Sequence, residues 1–135
     1  MSAGYSGTPL AKKLSLKAGQ RAWFENMPKT VRAEIAPEEL GLEMLVAPEA
    51  PIDAAHVFVR ERAALEEAIA RLLPLLAPAG FLWVSWPKRA SKVPTDITED
   101  VIREVALPTG LVDVKVCAVD ETWSGLKLMI RRDRR

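Results

Sequence analysis

Toward the C-terminal end of the 135-residue chain, Asp120-Glu121-Thr122-Trp123-Ser124-Gly125 sets two carboxylates, two hydroxyls, an indole and a turn glycine in six consecutive positions. Adjacent carboxylates do acid–base or metal chemistry when a third ligand or a separate base joins them. The sequence supplies neither here, so Asp120 and Glu121 define no catalytic set and no metal site by themselves. A second group, Trp86, Lys88 and Arg89 with Lys92 close behind, stands at the end of the longest uncharged run of the chain, Leu72 to Pro87. Its cations have the chemistry to hold a phosphate or carboxylate. Trp86 and Trp123 offer flat apolar faces to a planar ligand or a partner. Glu49 ends an apolar run, at a position where α/β folds place an acid on a ribose hydroxyl.

The other reactive side chains are less promising. His56 enters a predicted strand at the end away from these groups. Cys117 falls in mid-strand, where a thiol is buried and inert. Ser85 is not in G-x-S-x-G, and one serine and one histidine do not make a triad. The chain has no G-x-G-x-x-G, no P-loop, no H-E-x-x-H and no paired C-x-x-C. Its first strand runs instead into Glu25-Asn26-Met27-Pro28-Lys29, without a glycine to let the backbone approach a pyrophosphate.

Alternation and periodicity supply the elements that must position these residues. Val112, Val114, Val116 and Ala118 alternate with Asp113, Lys115 and Cys117, and Leu126, Leu128 and Ile130 with Lys127, Met129 and Arg131. The pattern predicts a hairpin with the loop Asp120–Gly125 at its tip. Earlier strands are expected over Arg21–Glu25, Leu42–Ala47, Ala55–Val59 and Phe81–Trp86. The last of these is apolar on both faces except at Ser85, as in a covered parallel strand. Thr8-Pro9 is expected to cap a short helix reaching about Leu14, and Val31 and Ile35 share a face of another. Leu65, Ile69, Leu72 and Leu73 mark an amphipathic helix beginning near Arg60 and ended at Pro74. Asp96 and Glu99 read as a capping box for a helix to about Leu107.

Strands alternating with helices predict a three-layer α/β fold, Rossmann-like, with about six strands, mostly parallel, and an antiparallel C-terminal strand. In such a sheet the segments after the carboxyl ends of the strands gather on one edge, where ligands bind. That edge is expected to collect Asn26–Thr30, Pro48–Glu49, Arg60–Arg62, Pro87–Arg89 and Asp120–Gly125.

The length predicts one domain spanning residues 1–135, with a loose arm over residues 1–7 and a basic tail over residues 132–135. With 49% hydrophobic and 27% charged residues, the chain reads as folded and globular. A net charge of +1 provides no field for gathering nucleic acid or an anionic membrane. One cysteine, no signal-peptide core and no apolar stretch long enough for a membrane span lead to an expected cytoplasmic location.

Two resemblances add to this reading. The strings Gly-Tyr-Ser-Gly-Thr-Pro-Leu-Ala-Lys-Lys-Leu at 4–14, Trp-Pro-Lys at 86–88 and Val-Asp-Val-Lys-Val-Cys-Ala-Val-Asp-Glu-Thr-Trp-Ser-Gly-Leu at 112–126 resemble members of a family of small bacterial proteins catalogued as a domain of unknown function. That likeness covers nearly the whole chain and implies a bacterial cytosolic protein with no assigned activity. In layout, Leu14–Arg132 resembles the class I S-adenosylmethionine-dependent methyltransferases. The similar parts are the entry to the first strand at 14–28, the Pro78 and Gly80 approach to the fourth, and the reversed last strand. This resemblance implies one strand–helix unit fewer after the second strand, and the sheet order second, first, third, fourth, sixth, fifth. The chain departs from that family at the missing glycines after Glu25 and at Arg60-Glu61-Arg62, where amino-methylating members carry an N-P-P-Y-type motif. Glu49 alone matches a family binding position.

The sequence therefore favours a non-catalytic binding or regulatory module whose carboxyl edge takes an anionic small molecule or a protein partner. Trp86, Lys88, Arg89, Asp120, Glu121 and Trp123 are its candidate contacts, and the arm with Tyr5 and Ser6 folds over them if it docks. A divergent transferase using S-adenosylmethionine or a nucleotide is the alternative, with Glu49 on the ribose and Asp120 or Glu121 as base. A third is a structural homodimer formed through the hairpin edge. No cofactor is specified, and neither nucleic acid nor membrane is an expected partner.

Overall fold

The run from Phe81 to Pro87 is buried throughout, as its two apolar faces require, and lies inside the sheet with a strand on each side. The computed structural model describes residues 8–135; Tyr5, Ser6 and the expected arm lie outside them. The elements are α1 (Leu10–Lys13), β1 (Arg21–Glu25), α2 (Lys29–Ile35), α3 (Pro37–Leu40), β2 (Glu43–Met44), β3 (Ile52–Phe58), α4 (Arg62–Leu72), β4 (Leu76–Pro87), α5 (Glu99–Ala106), β5 (Leu111–Ala118) and β6 (Trp123–Ile130). The strands form one sheet in the order β2-β1-β3-β4-β6-β5, the order implied by the methyltransferase-like layout. Pairs β1–β2, β1–β3 and β3–β4 are parallel, and β6 runs antiparallel to both β4 and β5.

Each face of the sheet has its own helices. Leu65, Ile69 and Leu72 of α4 and Ile102 and Ala106 of α5 cluster with Val57, Leu82, Val84, Trp86, Leu126 and Leu128. Leu10 and Leu14 with Val31 and Ile35 of α2 cluster with Ala54, Phe58, Phe81 and Trp83 on the other face. Trp83 is fully buried, and its Nε1 donates to the Leu14 carbonyl 2.9 Å away, which fastens the end of α1 to the middle of the sheet.

Several boundaries differ from the sequence reading, each for a local reason. The expected strand Leu42–Ala47 pairs only at Glu43–Met44 and then leaves the sheet, so that Val46 is fully exposed. Strand β4 begins at Leu76, before Gly80. Its register against β3 jumps from Ile52–Leu76 to Ala54–Phe81, and the intervening residues bulge outward. Gly80 allows this because a Cβ there would lie 2.6 Å from the Ile52 carbonyl oxygen. In β5, a register shift between Asp113 and Lys115 breaks the expected alternation. Val112 stands opposite Met129 and Val116 opposite Leu126, so these two valines lie on opposite faces of the sheet. Val114 and Val116 are each 48% exposed on this edge strand, and Asp113 turns to Arg103 of α5 (3.0 Å).

The helix caps also move. The α1 N-cap is Pro9 with no side-chain cap, so Thr8 does not serve there. Thr98, not Asp96, caps α5, its Oγ1 accepting from the Val101 amide at 3.2 Å. Asp96 instead accepts from the Arg62 amide at 2.7 Å, which satisfies a first-turn N–H of α4 from another part of the chain. None of the helices among the described residues is long and apolar enough to cross a membrane.

Candidate functional site

The parallel strands end where the sequence reading gathers its candidates, and that edge is hollowed. Three open depressions adjoin along it. The first, about 380 Å³, lies over the ends of β1 and β3 between Asn26, Phe58, Arg60, Glu61 and Trp123. Arg60 and Glu61 also line the second, about 410 Å³, together with Pro94, Thr95 and Asp96. Pro94 and Thr95 continue into the third, about 470 Å³, whose other walls include Trp86, Arg89, Lys92 and Glu99. The shared walls make one trough along the carboxyl edge.

Its floor is stitched by backbone. The Arg60 carbonyl accepts from Thr95 Oγ1 at 2.6 Å and from the Asp96 amide at 3.3 Å, which ties the loop after β3 to the one before α5. The Lys88 amide donates to the Thr122 carbonyl at 2.7 Å, so the loop after β4 is held to the hairpin tip. Asn26 takes φ +56, the left-handed turn that lets β1 pass into α2, and its amide nitrogen reaches the Phe58 carbonyl at 3.5 Å.

The structure divides the candidate residues rather than focusing them on one point. Trp86 belongs to the α4/α5 face and Trp123 to the α1/α2 face, so the two indoles cannot sandwich one ligand. Trp86 shares its hollow with Arg89 and Lys92. Trp123 packs edge-on against Phe58, with ring centroids 5.1 Å apart, at the rim of the first hollow. Asp120 Oδ1 accepts from the amides of Thr122 at 2.8 Å and Trp123 at 2.7 Å and so works as a turn staple. Glu121 is exposed. The loop is also shorter than expected, since Trp123, Ser124 and Gly125 belong to β6.

Glu49 is a correction. Its carbonyl accepts from the Arg21 guanidinium (3.3 Å) at the amino end of β1, so Glu49 does not join the carboxyl-edge group. Two prolines and the early end of β2 turn the chain back before it reaches that edge. The ribose role that the sequence assigns to Glu49 loses its geometric basis.

His56 is the residue that sequence reasoning misplaced most. It sits fifth in the seven-residue β3 rather than at the strand's entry, 2% exposed, stacked on Phe58 at 4.4 Å. Its Nε2 and Ser85 Oγ, on the neighbouring strand, form a 2.7 Å hydrogen bond. Burial drives the imidazole pKa down from 6.5 to about 3, so the ring is neutral at physiological pH. Ser85 is the single polar residue in an otherwise apolar strand, and that singularity was the sequence signal for a buried partner. Burial likewise pushes the Cys117 thiol up, which agrees with its reading as unreactive. The described residues contain no group of three or more His, Cys, Asp or Glu placed to hold a metal ion.

The sheet order, the reversed strand β6 and the trough at the carboxyl ends define a class I methyltransferase-like Rossmann fold. Solved structures with this architecture include the ribosomal protein L11 methylase of Lactobacillus delbrueckii subsp. bulgaricus, with a TM-score of 0.62 at 11% identity over 90% of this chain and 75% of that one. An S-adenosylmethionine-dependent methyltransferase from Aquifex aeolicus aligns with a TM-score of 0.60 at 14% identity, over 90% and 87% of the two chains. Aeropyrum pernix fibrillarin, in complex with natively bound S-adenosyl-L-methionine, aligns with a TM-score of 0.54 at 11% identity, over 93% and 70%. Identities this low establish a shared fold alone. No curated protein matches the chain in sequence. Residues 11–132 match the family described as Protein of unknown function (DUF3052), and the chain belongs to that family.

Proposed function

We propose that the chain is a non-catalytic binding module in which a methyltransferase-like sheet presents its carboxyl-edge trough to an anionic small molecule. One observation carries this reading. In the third hollow, Arg89 and Lys92 have no carboxylate within ion-pair distance among the described residues, whereas the acid lining the same wall, Glu99, is already bound to Arg103. Two cations beside the apolar face of Trp86 suit a ligand with an anionic group and a flat or apolar body. The geometry gives catalysis little support, because Asp120 is spent on two backbone amides and Glu49 stands elsewhere.

A second reading, a transferase using S-adenosylmethionine, rests on the hollow at the ends of β1 and β3, which overlies the carboxyl edge of the fold it shares with the methyltransferases. A thermal-shift panel of S-adenosylmethionine, its demethylated product, nucleotides, NAD(P) and acyl-CoA separates the two. A ligand at ~100 times its Kd adds about 2.7 kcal/mol. For this length, that raises the melting point by roughly 8 to 12 °C. The module reading expects the shift with an anion other than S-adenosylmethionine, lost in Arg89→Gln/Lys92→Gln. A shift with S-adenosylmethionine, followed by methyl transfer, would replace it with the second reading. A panel without shifts would exclude these ligands and remove the support for a small-molecule trough.

A further inference from the structure

On the opposite face of the sheet from the Trp86 hollow, Lys115 of β5 and Lys127 of β6 are direct cross-strand partners, so their side chains leave the same face side by side. Like charges placed in this way repel and destabilise a sheet unless something compensates them. No carboxylate among the described residues does. Every ion pair among the described residues uses an arginine, and no carboxylate lies within 4 Å of Lys17, Lys115 or Lys127. Residues 1–7 contain no acid that could fill the gap.

The ammonium groups are nevertheless positioned. Lys127 Nζ lies 4.7 Å from the centroid of the Phe81 ring and donates to Ser15 Oγ at 3.0 Å. Lys115 Nζ lies 5.9 Å from the centroid of the Trp83 ring. Ser15 reaches Lys127 because it takes φ +63, a left-handed conformation uncommon for serine, just past the Leu14 C-cap of α1. Burial, with Lys115 and Lys17 nearby, pulls the Lys127 ammonium below the usual lysine range. A strained serine, two aromatic rings and two unneutralised lysines brought to one place are a local conflict of the kind that folds retain at functional sites.

We infer that Lys115, Lys127 and Ser15, with Lys17 alongside, form a binding site for the phosphate group of a small molecule. The dianion supplies the missing counter-charge, the lysines donate to its oxygens, and the Ser15 hydroxyl donates a further hydrogen bond while accepting from Lys127. The site is independent of the carboxyl-edge trough, which lies at the end of the sheet and draws its cations from the loops after β3 and β4.

The test is thermal unfolding of the full chain in increasing inorganic phosphate, against sodium chloride at matched ionic strength. A saturable rise of roughly 5 to 10 °C in phosphate is expected. Lys115→Gln and Lys127→Gln should each remove it, and Lys12→Gln, an exposed lysine of α1, should keep it. In chloride, Lys115→Gln should melt no lower than the wild type, because the substitution relieves repulsion. That readout distinguishes a site from a merely structural lysine, and shows the variant to be folded. A flat phosphate response in the wild type, or an undiminished one in both glutamine variants, overturns the inference. So does loss of the response in Arg89→Gln/Lys92→Gln, which would assign phosphate to the trough. Binding of an RNA or DNA oligonucleotide without any response to phosphate overturns it as well.

Discussion

The His56–Ser85 pair makes a sharp prediction because His56 is the single histidine of the chain. In the unfolded chain the imidazole takes up a proton near pH 6.5, whereas in the folded protein burial postpones this to about pH 3. Between those values the unfolded state holds one proton more than the folded state, so stability falls as the pH falls. The contribution is complete above about pH 7 and erodes through the window from 6.5 to 3. The slope is about 1.4 kcal/mol per pH unit. Between pH 7.5 and 5.0 the integrated loss is about 2 kcal/mol, and over the whole window it approaches roughly 5 kcal/mol. Stopping at pH 5.0 avoids most of the carboxylate titration, which in unfolded chains is centred near pH ~4. The measurement is urea unfolding of wild type and His56→Gln at both pH values. Glutamine keeps an amide to meet Ser85 but does not titrate. The variant is less stable at each pH, and what matters is the difference of differences. The wild type should lose about 2 kcal/mol more than the variant on going to pH 5.0, equivalent to about 7 °C in melting temperature for a chain of this length. Parallel losses would refute the reasoning, since they would mean that the imidazole titrates alike in both states and is not held neutral by burial.

Two further outcomes follow from the same geometry. Gly80→Ala should lower stability by about 1 to 3 kcal/mol, read as a drop in calorimetric melting temperature, because the new Cβ meets the Ile52 carbonyl at 2.6 Å and backbone must move. Asp120→Ala should cost about 1 to 3 kcal/mol and speed hydrogen exchange at the Thr122 and Trp123 amides, whose acceptor is removed, while Asp120→Asn should keep most of the protection.

What the sequence made legible was the part governed by short-range pattern. Strand β1 falls at Arg21–Glu25, after the turn at Lys17–Gln20, as expected, and the apolar Phe81–Trp86 run is central as its two faces require. The hairpin and its antiparallel strand follow from a connection too short for a crossover. What it hid depends on partners distant along the chain. The β5 bulge shifts alternation by one residue, so Asp113 and Val116, which their spacing assigns to opposite faces, come to lie on the same one. Asp96 looked like a cap for the helix three residues ahead, but it caps α4 through Arg62, thirty-four residues earlier. The expected strand Leu42–Ala47 sets Glu49 just past its end, whereas β2 ends at Met44, five residues before Glu49. The carboxyl edge was legible as a place because topology alone decides it. Which side chains share a hollow there was not, because Trp86 and Trp123 differ in parity against β4 and β6.

The bond from Trp83 to the Leu14 carbonyl bears on the order in which the chain can assemble as it is made. The seat of α1 includes, beside Val31 and Ile35 of α2, Phe81 and Trp83 from β4 and Val119 from beyond β5, and Lys13 and Ser15 meet their partners Ala118 and Lys127 across 105 and 112 residues. At roughly 5–20 residues per second, a nascent α1 waits about 5 to 20 s after its own synthesis before that seat exists. A four-residue helix has no stability of its own over such an interval. Until the hairpin is complete, Leu10, Leu14 and Leu16 lack the part of their cover that β4 and Val119 supply, and closure of the last strand completes it.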